Sequence, residues 1–421
     1  MAVKPGFFIT LSDQYVSAGR LDGYAHTLGR DIAAGLAANG WPCEAVAPWI
    51  DPHLKAVFEG GLPPFVLAFN LYPDTEIDVN SRAGKTEKVH LFQMLQDFLK
   101  VPVICVLCDH VAHHLTYIAR YRLNEDGSPK YASPSDGIAF APLEPGSFPF
   151  LEMITVPRSK MICLPWGGPS PAPEPKPFED RAYQLVFQGS LEELESEREF
   201  MKRCKAGGMS PPVVRGLLRA TERAVEENEE LHVIILTEIK KEGVDPARLT
   251  VFDLAKMVGY ADRRARTIRR DRFLSAFANL PVDFFGRYPK NFRRKFHRAR
   301  FHGLKTFGEV TEIAGDTKIA LCETINLREN VHMRLPYSMA QGCLVVAEKS
   351  NLRLGRDFTD MKNIVLSAYP YRDAAEKVEA ILADPKLGQD MTDAAKPIYQ
   401  SRYTWRETVK ALAPFLPPPA H

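Results

Sequence analysis

Arg334 and His332 stand two residues apart in the run Asn326 to Gly342, which reads Asn-Leu-Arg-Glu-Asn-Val-His-Met-Arg-Leu-Pro-Tyr-Ser-Met-Ala-Gln-Gly. A guanidinium and an imidazole in a polar loop that leads into a short helix can hold an anion such as phosphate. The first N–H groups and the dipole of the helix add to that attraction. Asn326 opens the same run, and Tyr337 and Ser338 bring hydroxyls that can donate to a sugar or nucleoside, Tyr337 also by stacking. The apolar run Cys343 to Ala347 follows at once, as a buried strand would. The polar loop therefore sits at one edge of a strand-loop-helix-strand cassette, where an open α/β sheet takes up a nucleotide.

Three further stretches carry chemistry. Gln188-Gly189-Ser190 and Phe285-Gly286-Arg287, the latter with Lys290 close behind, each follow an apolar run. A glycine at the C-terminal end of a strand lets backbone approach a ligand, although one such glycine is more often a simple turn. Cys108-Asp109-His110-Val-Ala-His113-His114 follows the apolar run from Val101. Asp109 or His110 could act there as a general base, since a carboxylate beside an imidazole raises its pKa. A metal site using His113 or His114, or a capping role for Asp109, fits the same residues. The loop Ser17 to Gly23 offers Gly19, Arg20 and Gly23 to an acceptor or to donor phosphates. It lacks the G-x-G-x-x-G spacing of a dinucleotide fingerprint, and a plain βα turn explains it equally well.

The elements that must position these residues alternate strand and helix. Strands are expected at Gly6–Leu11, Cys43–Trp49, Pro64–Asn70 and Val101–Cys108, and helices at Tyr24–Asn39 and Val89–Lys100. Tyr121 to Ser147 reads as a long surface loop and Ser159 to Leu164 as the last strand of a first domain. Six prolines among the thirteen residues from Pro165 to Pro177 suit a domain boundary. A second α/β rhythm opens at Tyr183–Ser190 and resumes at Val282–Gly286, Thr317–Cys322 and Leu344–Ala347. Between them, residues 191 to about 280 read as a helical insertion. Helical pattern returns at Ala374–Leu382 and Met391–Leu416, with breaks expected at Pro385 and Pro397. This rhythm predicts two Rossmann-like domains with parallel sheets: residues 1–175, then 176–395 carrying the insertion, with a C-terminal helix at 396–421 that packs back on the first domain.

Apolar residues make up 45% of the 421, enough for two cores. Opposite charges nearly cancel, 54 Lys and Arg against 52 Asp and Glu, so anion binding must be local rather than global. One local concentration lies between Arg263 and Arg300, with thirteen Lys or Arg and two Asp. It suits a solvated face or the contact surface of an anionic partner. Leu249–Asp262 upstream also resembles the first helix and Gly turn of a helix-turn-helix with Arg263–Arg272 as its basic second helix, which would make the chain a nucleic-acid binder. The seven cysteines lie mostly in apolar runs and suit a reducing cytoplasm. Cys105 and Cys108 have C-x-x-C spacing, but no second ligand pair accompanies them and they read as strand core. No signal peptide or transmembrane span is expected.

The Asn326–Gly342 cassette resembles the donor site of GT-B glycosyltransferases. The nearest pattern is that of the CgeB-like, group 1-like chains, with an Arg, an aromatic-Glu pair, a small-residue helix and a Gly before an apolar strand. Ser401-Arg-Tyr-Thr-Trp-Arg406 resembles the closing segment of the same chains. The sequence departs from that pattern at Tyr337, where the family has a Glu that contacts the donor ribose. The resemblance implies transfer of a sugar from a nucleotide sugar to an acceptor hydroxyl on a glycan, lipid or protein. It implies a donor site formed by Gly189, Ser190, Gly286, Arg287, Lys290, Asn326, His332, Arg334, Tyr337 and Ser338, with Asp109 or His110 as base across a cleft. It further implies no cofactor and no metal, a cytoplasmic or inner-membrane-peripheral location, and a role in bacterial cell-surface or flagellar glycosylation. A nucleotide-sugar-binding protein without activity is the alternative.

Overall fold

The computed structural model describes residues 6–10, 24–46, 63–69, 76–80, 86–90, 100–108, 111–114, 138–227, 229–323 and 327–419. The chain forms two compact units. The first comprises Met1–Pro165, Thr250–Ala255 and Trp405–His421, and the second Trp166–Leu249 and Lys256–Thr404.

The first unit is built on β1 (Gly6–Thr10), β2 (Cys43–Val46), β3 (Val66–Phe69), β6 (Val103–Leu107) and β7 (Ile138–Pro142), in the order β2-β1-β3-β6-β7. All four strand pairs are parallel. β3, β6 and β7 are buried throughout, as strands covered on both faces must be. Cys105 lies in the core of β6, where burial pushes its thiol well above the usual range. Sequence periodicity missed an antiparallel hairpin of β4 (Glu76–Asn80) and β5 (Thr86–His90). Val89 and His90, expected to start a helix, belong to β5, and the rest of that expected helix up to residue 99 lies outside the described residues.

Two further expectations change here. Ile138–Pro142, read as part of a long loop, is the buried edge strand β7, its five apolar residues hidden between Pro- and Gly-rich flanks. Ser159–Leu164, read as a strand, is a 3-10 turn at Arg158–Lys160 followed by a single bridge from Met161 to Phe140. The tail from Trp405 packs against the helix Tyr24–Ala37. Trp405, Val409 and Leu412 are buried, Asn39 Nδ2 donates to the Arg406 carbonyl at 2.7 Å, and Trp41 Nε1 donates to the Pro417 carbonyl at 2.8 Å. The stretch before it belongs to the other unit, because the helix Pro385–Arg402 runs on past residue 396 and the change of unit falls at Trp405. The break expected at Pro385 is present, since one helix ends at Ala383 and the next begins at Pro385, whereas the break expected at Pro397 does not occur. Pro385 stands at the first turn of the second of these helices, where a missing N–H costs nothing, and Pro397 is carried inside it.

The second unit contains β8 (Tyr183–Gln188), β9 (Val282–Phe285), β10 (Arg300–Gly303), β11 (Thr317–Cys322), β12 (Leu344–Glu348) and β13 (Val365–Ser367), ordered β10-β9-β8-β11-β12-β13. All five pairs are parallel. In order of appearance this is 3-2-1-4-5-6, the doubly wound arrangement, and its direction of winding reverses between β8 and β11. The insertion between β8 and β9 is helical: Glu197–Ala206, Pro211–Glu226, Leu231–Lys241 and Val251–Ser275. The last of these runs for 25 residues straight through Gly259. That continuity removes the helix-turn-helix reading, which required a turn near Gly259 and a separate second helix. No helix among the described residues is long and apolar enough to cross a membrane.

Candidate functional site

In a doubly wound sheet the strands flanking the reversal diverge at their C-terminal ends and leave a crevice. Here those strands are β8, which runs out into Gly189-Ser190, and β11, which runs out into Glu323. Gly189 N–H donates to the Phe285 carbonyl at 2.9 Å, Leu191 N–H to the Arg287 carbonyl at 2.9 Å, and Arg287 N–H to Ser190 Oγ at 3.0 Å. The turns after β8 and β9 are thereby bolted into one platform. Gly286 is required in it: its φ is +153°, and a Cβ would stand 2.1 Å from the Gly189 carbonyl oxygen. Tyr288 hydroxyl also donates to that carbonyl, and burial pushes its pKa up, so it stays protonated.

Arg334, at the start of the helix Arg334–Ala340, lies over the Phe187 ring at 5.0 Å and donates through Nη1 to Glu323 Oε2. Arg270, from the long helix Val251–Ser275, donates through Nε to Glu323 Oε1 at 2.6 Å and through Nη1 to the Ser190 carbonyl. Glu323 is fully buried, and two guanidiniums share its one negative charge, leaving the trio with net +1. A buried charge survives only if paired and hydrogen-bonded, which both Glu323 oxygens are. Arg334 Nη2 points at Gly189, where a Cβ would meet it at 3.1 Å. Arg266, one turn before Arg270, pairs with Asp262 at 2.8 Å. Next along the helix, Arg269 reaches Glu348 at the end of β12 at 2.7 Å. Neighbouring arginines on one helix thus serve neighbouring strand ends.

His332 differs from its expected part. Burial, together with Arg334, Arg270 and Arg266, holds its pKa well below the usual histidine value. It is neutral at physiological pH and contributes a hydrogen bond rather than a charge. Arg334 N–H donates to His332 Nδ1 at 3.3 Å, which leaves the ring proton on Nε2. The loop carrying His332 is pinned from below. Asn351 Nδ2 donates to the Leu327 carbonyl at 2.9 Å and to the Asn330 carbonyl at 2.5 Å, and Arg353 Nη1 donates to Asn330 Oδ1 at 2.9 Å.

The structure therefore brings together Gly189, Ser190, Gly286, the Arg287 backbone, His332 and Arg334. The side chains of Arg287 and Lys290 are exposed, and among the described residues no hydrogen bond or ion pair joins Lys290 to the cluster. Tyr337 is 6% exposed, edge-on to Phe307 at 5.0 Å, and Ser338 is buried with its hydroxyl against the Cys322 thiol. Asn326, Asp109, His110, Gly19, Arg20 and Gly23 lie outside the described residues. Among the described residues no group of three or more His, Cys, Asp or Glu converges as a metal site would. Sequence reasoning missed Arg270, Arg266 and Glu323. The one signal was Glu323 itself, a lone acid directly after an apolar strand.

Residues 266–413 match a family model described as glycosyl transferase-like. A search of curated protein sequences finds no significant match. Similar solved structures include HepE of Anabaena in complex with UDP and glucose, at 11% identity over 97% of this chain and 98% of that one, with a TM-score of 0.47. Sucrose-phosphate synthase of Thermosynechococcus elongatus aligns at 10% identity over 97% and 98%, with a TM-score of 0.49. WaaG, a glycosyltransferase of lipopolysaccharide biosynthesis, aligns at 12% over 97% and 99%, with a TM-score of 0.42.

Proposed function

We propose that this protein is a GT-B-type glycosyltransferase that moves a sugar from a nucleotide-sugar donor to an acceptor hydroxyl. The observation that carries the reading is the Arg270–Glu323–Arg334 cluster at the β8/β11 reversal, inside the stretch matched by the glycosyl transferase-like model. The donor diphosphate lies over the Gly189-Ser190 and Gly286-Arg287 platform with Arg334 and His332 against it. The acceptor oxygen bonds to the anomeric carbon as the bond from that carbon to the phosphate oxygen breaks. The electron pair leaves with the nucleotide, and Arg334 and Arg270 stabilise the charge it gathers. The acceptor proton passes to His110 or Asp109, the base we assign to the first unit. In this reading cationic side chains neutralise the leaving group without a metal ion. The chain works in the cytoplasm or at the inner membrane face, in bacterial surface or flagellar glycosylation, and belongs with the CgeB-like group.

A second reading, a nucleotide-sugar-binding protein without turnover, is favoured by one feature, Tyr337 in place of the ribose-binding Glu. The two are separated by measuring nucleotide release with the bound sugar.

The test is a thermal-shift series of the full chain with UDP-, GDP-, dTDP- and CMP-sugars, repeated on Arg334→Ala. A ligand that binds only the folded state raises Tm. One series is expected to stabilise the wild type, with affinity about 10- to 100-fold weaker in the variant, the usual scale for a charge-assisted contact to phosphate. No shift with any series, or equal shifts in both proteins, removes the site from this account.

A further inference from the structure

From Phe284 to Gly308 the chain holds eight Lys or Arg, two His and no acidic residue. Most of this stretch is the crossover from β9 to β10, which folds as a strap rather than a long helix, with a single short helix at Lys290–Arg293. Tyr288, Phe292 and Phe296 recur every fourth residue and are buried, packing at 5.0, 5.6 and 4.9 Å against the ring of Phe284. These anchors fix the strap and turn its cations outward. Three of the eight are neutralised: Lys295 by Asp271 at 2.7 Å, Arg300 by Asp283 at 2.7 Å and Lys305 by Glu309 at 2.9 Å. Arg287, Lys290, Arg293, Arg294 and Arg298 are exposed and have no carboxylate partner among the described residues. β10 ends at Gly303, paired with Phe285, so Leu304 emerges at the same end of the sheet as Arg287. Leu304 is 56% exposed, next to Lys305.

We propose that this strap docks the protein on an anionic phospholipid bilayer. The five cations without a carboxylate partner lie along one exposed strap that has no acidic residue in its own sequence, and their charge complements a sheet of phosphate headgroups. Nucleic acid is the poorer fit. Every aromatic ring of the strap from Tyr288 to Phe296 is buried, so none offers a stacking face to a base, and the four-residue helix is too short to read a groove. A bilayer needs neither. It needs only charge density, and it offers an apolar layer to a protruding side chain such as Leu304.

The experiment is co-sedimentation of the full chain with vesicles of phosphatidylcholine alone and of phosphatidylcholine containing phosphatidylglycerol, at low and high salt. The protein is expected on the anionic vesicles only, and released by salt. Arg293→Gln, Arg294→Gln and Arg298→Gln together should weaken binding about 100-fold, at roughly five-fold per cation. The same three changed to Lys should leave it intact, and all variants should melt with the wild type. Equal binding to neutral vesicles, or full binding by the Gln triple variant, overturns the proposal. So does binding of an RNA or DNA duplex that is lost in the Gln triple variant while vesicles remain unbound.

Discussion

At the scale of single residues the site is a contest for one carboxylate. Glu323 takes a hydrogen bond from Arg334 on one oxygen and from Arg270 on the other, and neither guanidinium is neutralised alone. Glu323→Ala leaves two cations facing each other in a buried position and is expected to destabilise the fold by about 3–5 kcal/mol, measured by denaturant unfolding. His332 sets a pH expectation. Its folded pKa is depressed, so the stability that its neutral ring contributes is present above pH 6.5 and is lost as pH falls below that value. Nucleotide affinity should correspondingly show no His332 titration above pH 6.5. An affinity that drops as pH rises through neutrality would require a cationic His332 and refute this account. Arg334 and His332 stood out in the sequence because they sit beside each other in a polar loop before an apolar strand. Arg270 did not, since an arginine in a run of arginines looks like any solvated face. Its partner lies 53 residues away, a distance that periodicity cannot bridge.

At the scale of elements, the long helix Val251–Ser275 carries the most consequence. It brings Arg266, Arg269 and Arg270 to the strand ends, and it runs through Gly259 without a break. A Cβ at Gly259 would meet nothing within 4 Å. Gly259→Ala should therefore stabilise the protein by about 0.5–1 kcal/mol and raise Tm slightly. A lower Tm would mean that the helix needs local freedom there. Gly259 also explains why a helix-turn-helix was expected: glycine between apolar stretches signals a turn, but packing along the whole helix outweighs a penalty of about 1 kcal/mol. The strands that sequence reading missed share a similar cause. β10 is an edge strand, Arg-Phe-His-Gly, partly exposed and submerged in the basic run, and β13 is only three residues long. The buried strands β3, β6, β8, β9, β11 and β12 were legible because continuous apolar runs bounded by polar turns have few other uses.

At the scale of the whole molecule, the alternation of strand and helix was enough to predict two parallel-sheet units. Their exact membership depends on contacts far apart in sequence. Trp405, Val409 and Leu412 are buried against the first unit although more than 350 residues separate them from the helix Tyr24–Ala37 that receives them. Burying three such side chains contributes about 1.5–3 kcal/mol each. Deletion of residues 405–421 is expected to lower the unfolding midpoint of the first unit sharply while the second, closed at Thr404, keeps its own. Limited proteolysis with fragment mapping would read the two separately, and equal resistance of both units would show that the tail is dispensable.

That closing tail also sets an order of events on the ribosome. The second unit lies in sequence between Met1–Pro165 and Trp405–His421 of the first, interrupted only by Thr250–Ala255, and all of its residues have been translated by Thr404. The first unit begins to emerge earlier, yet its helix Tyr24–Ala37 waits through the synthesis of the entire second unit for Trp405 and the residues that pack on it. The nascent chain thus completes its later-made half first, and the helix Tyr24–Ala37 keeps an apolar face uncovered until the tail arrives.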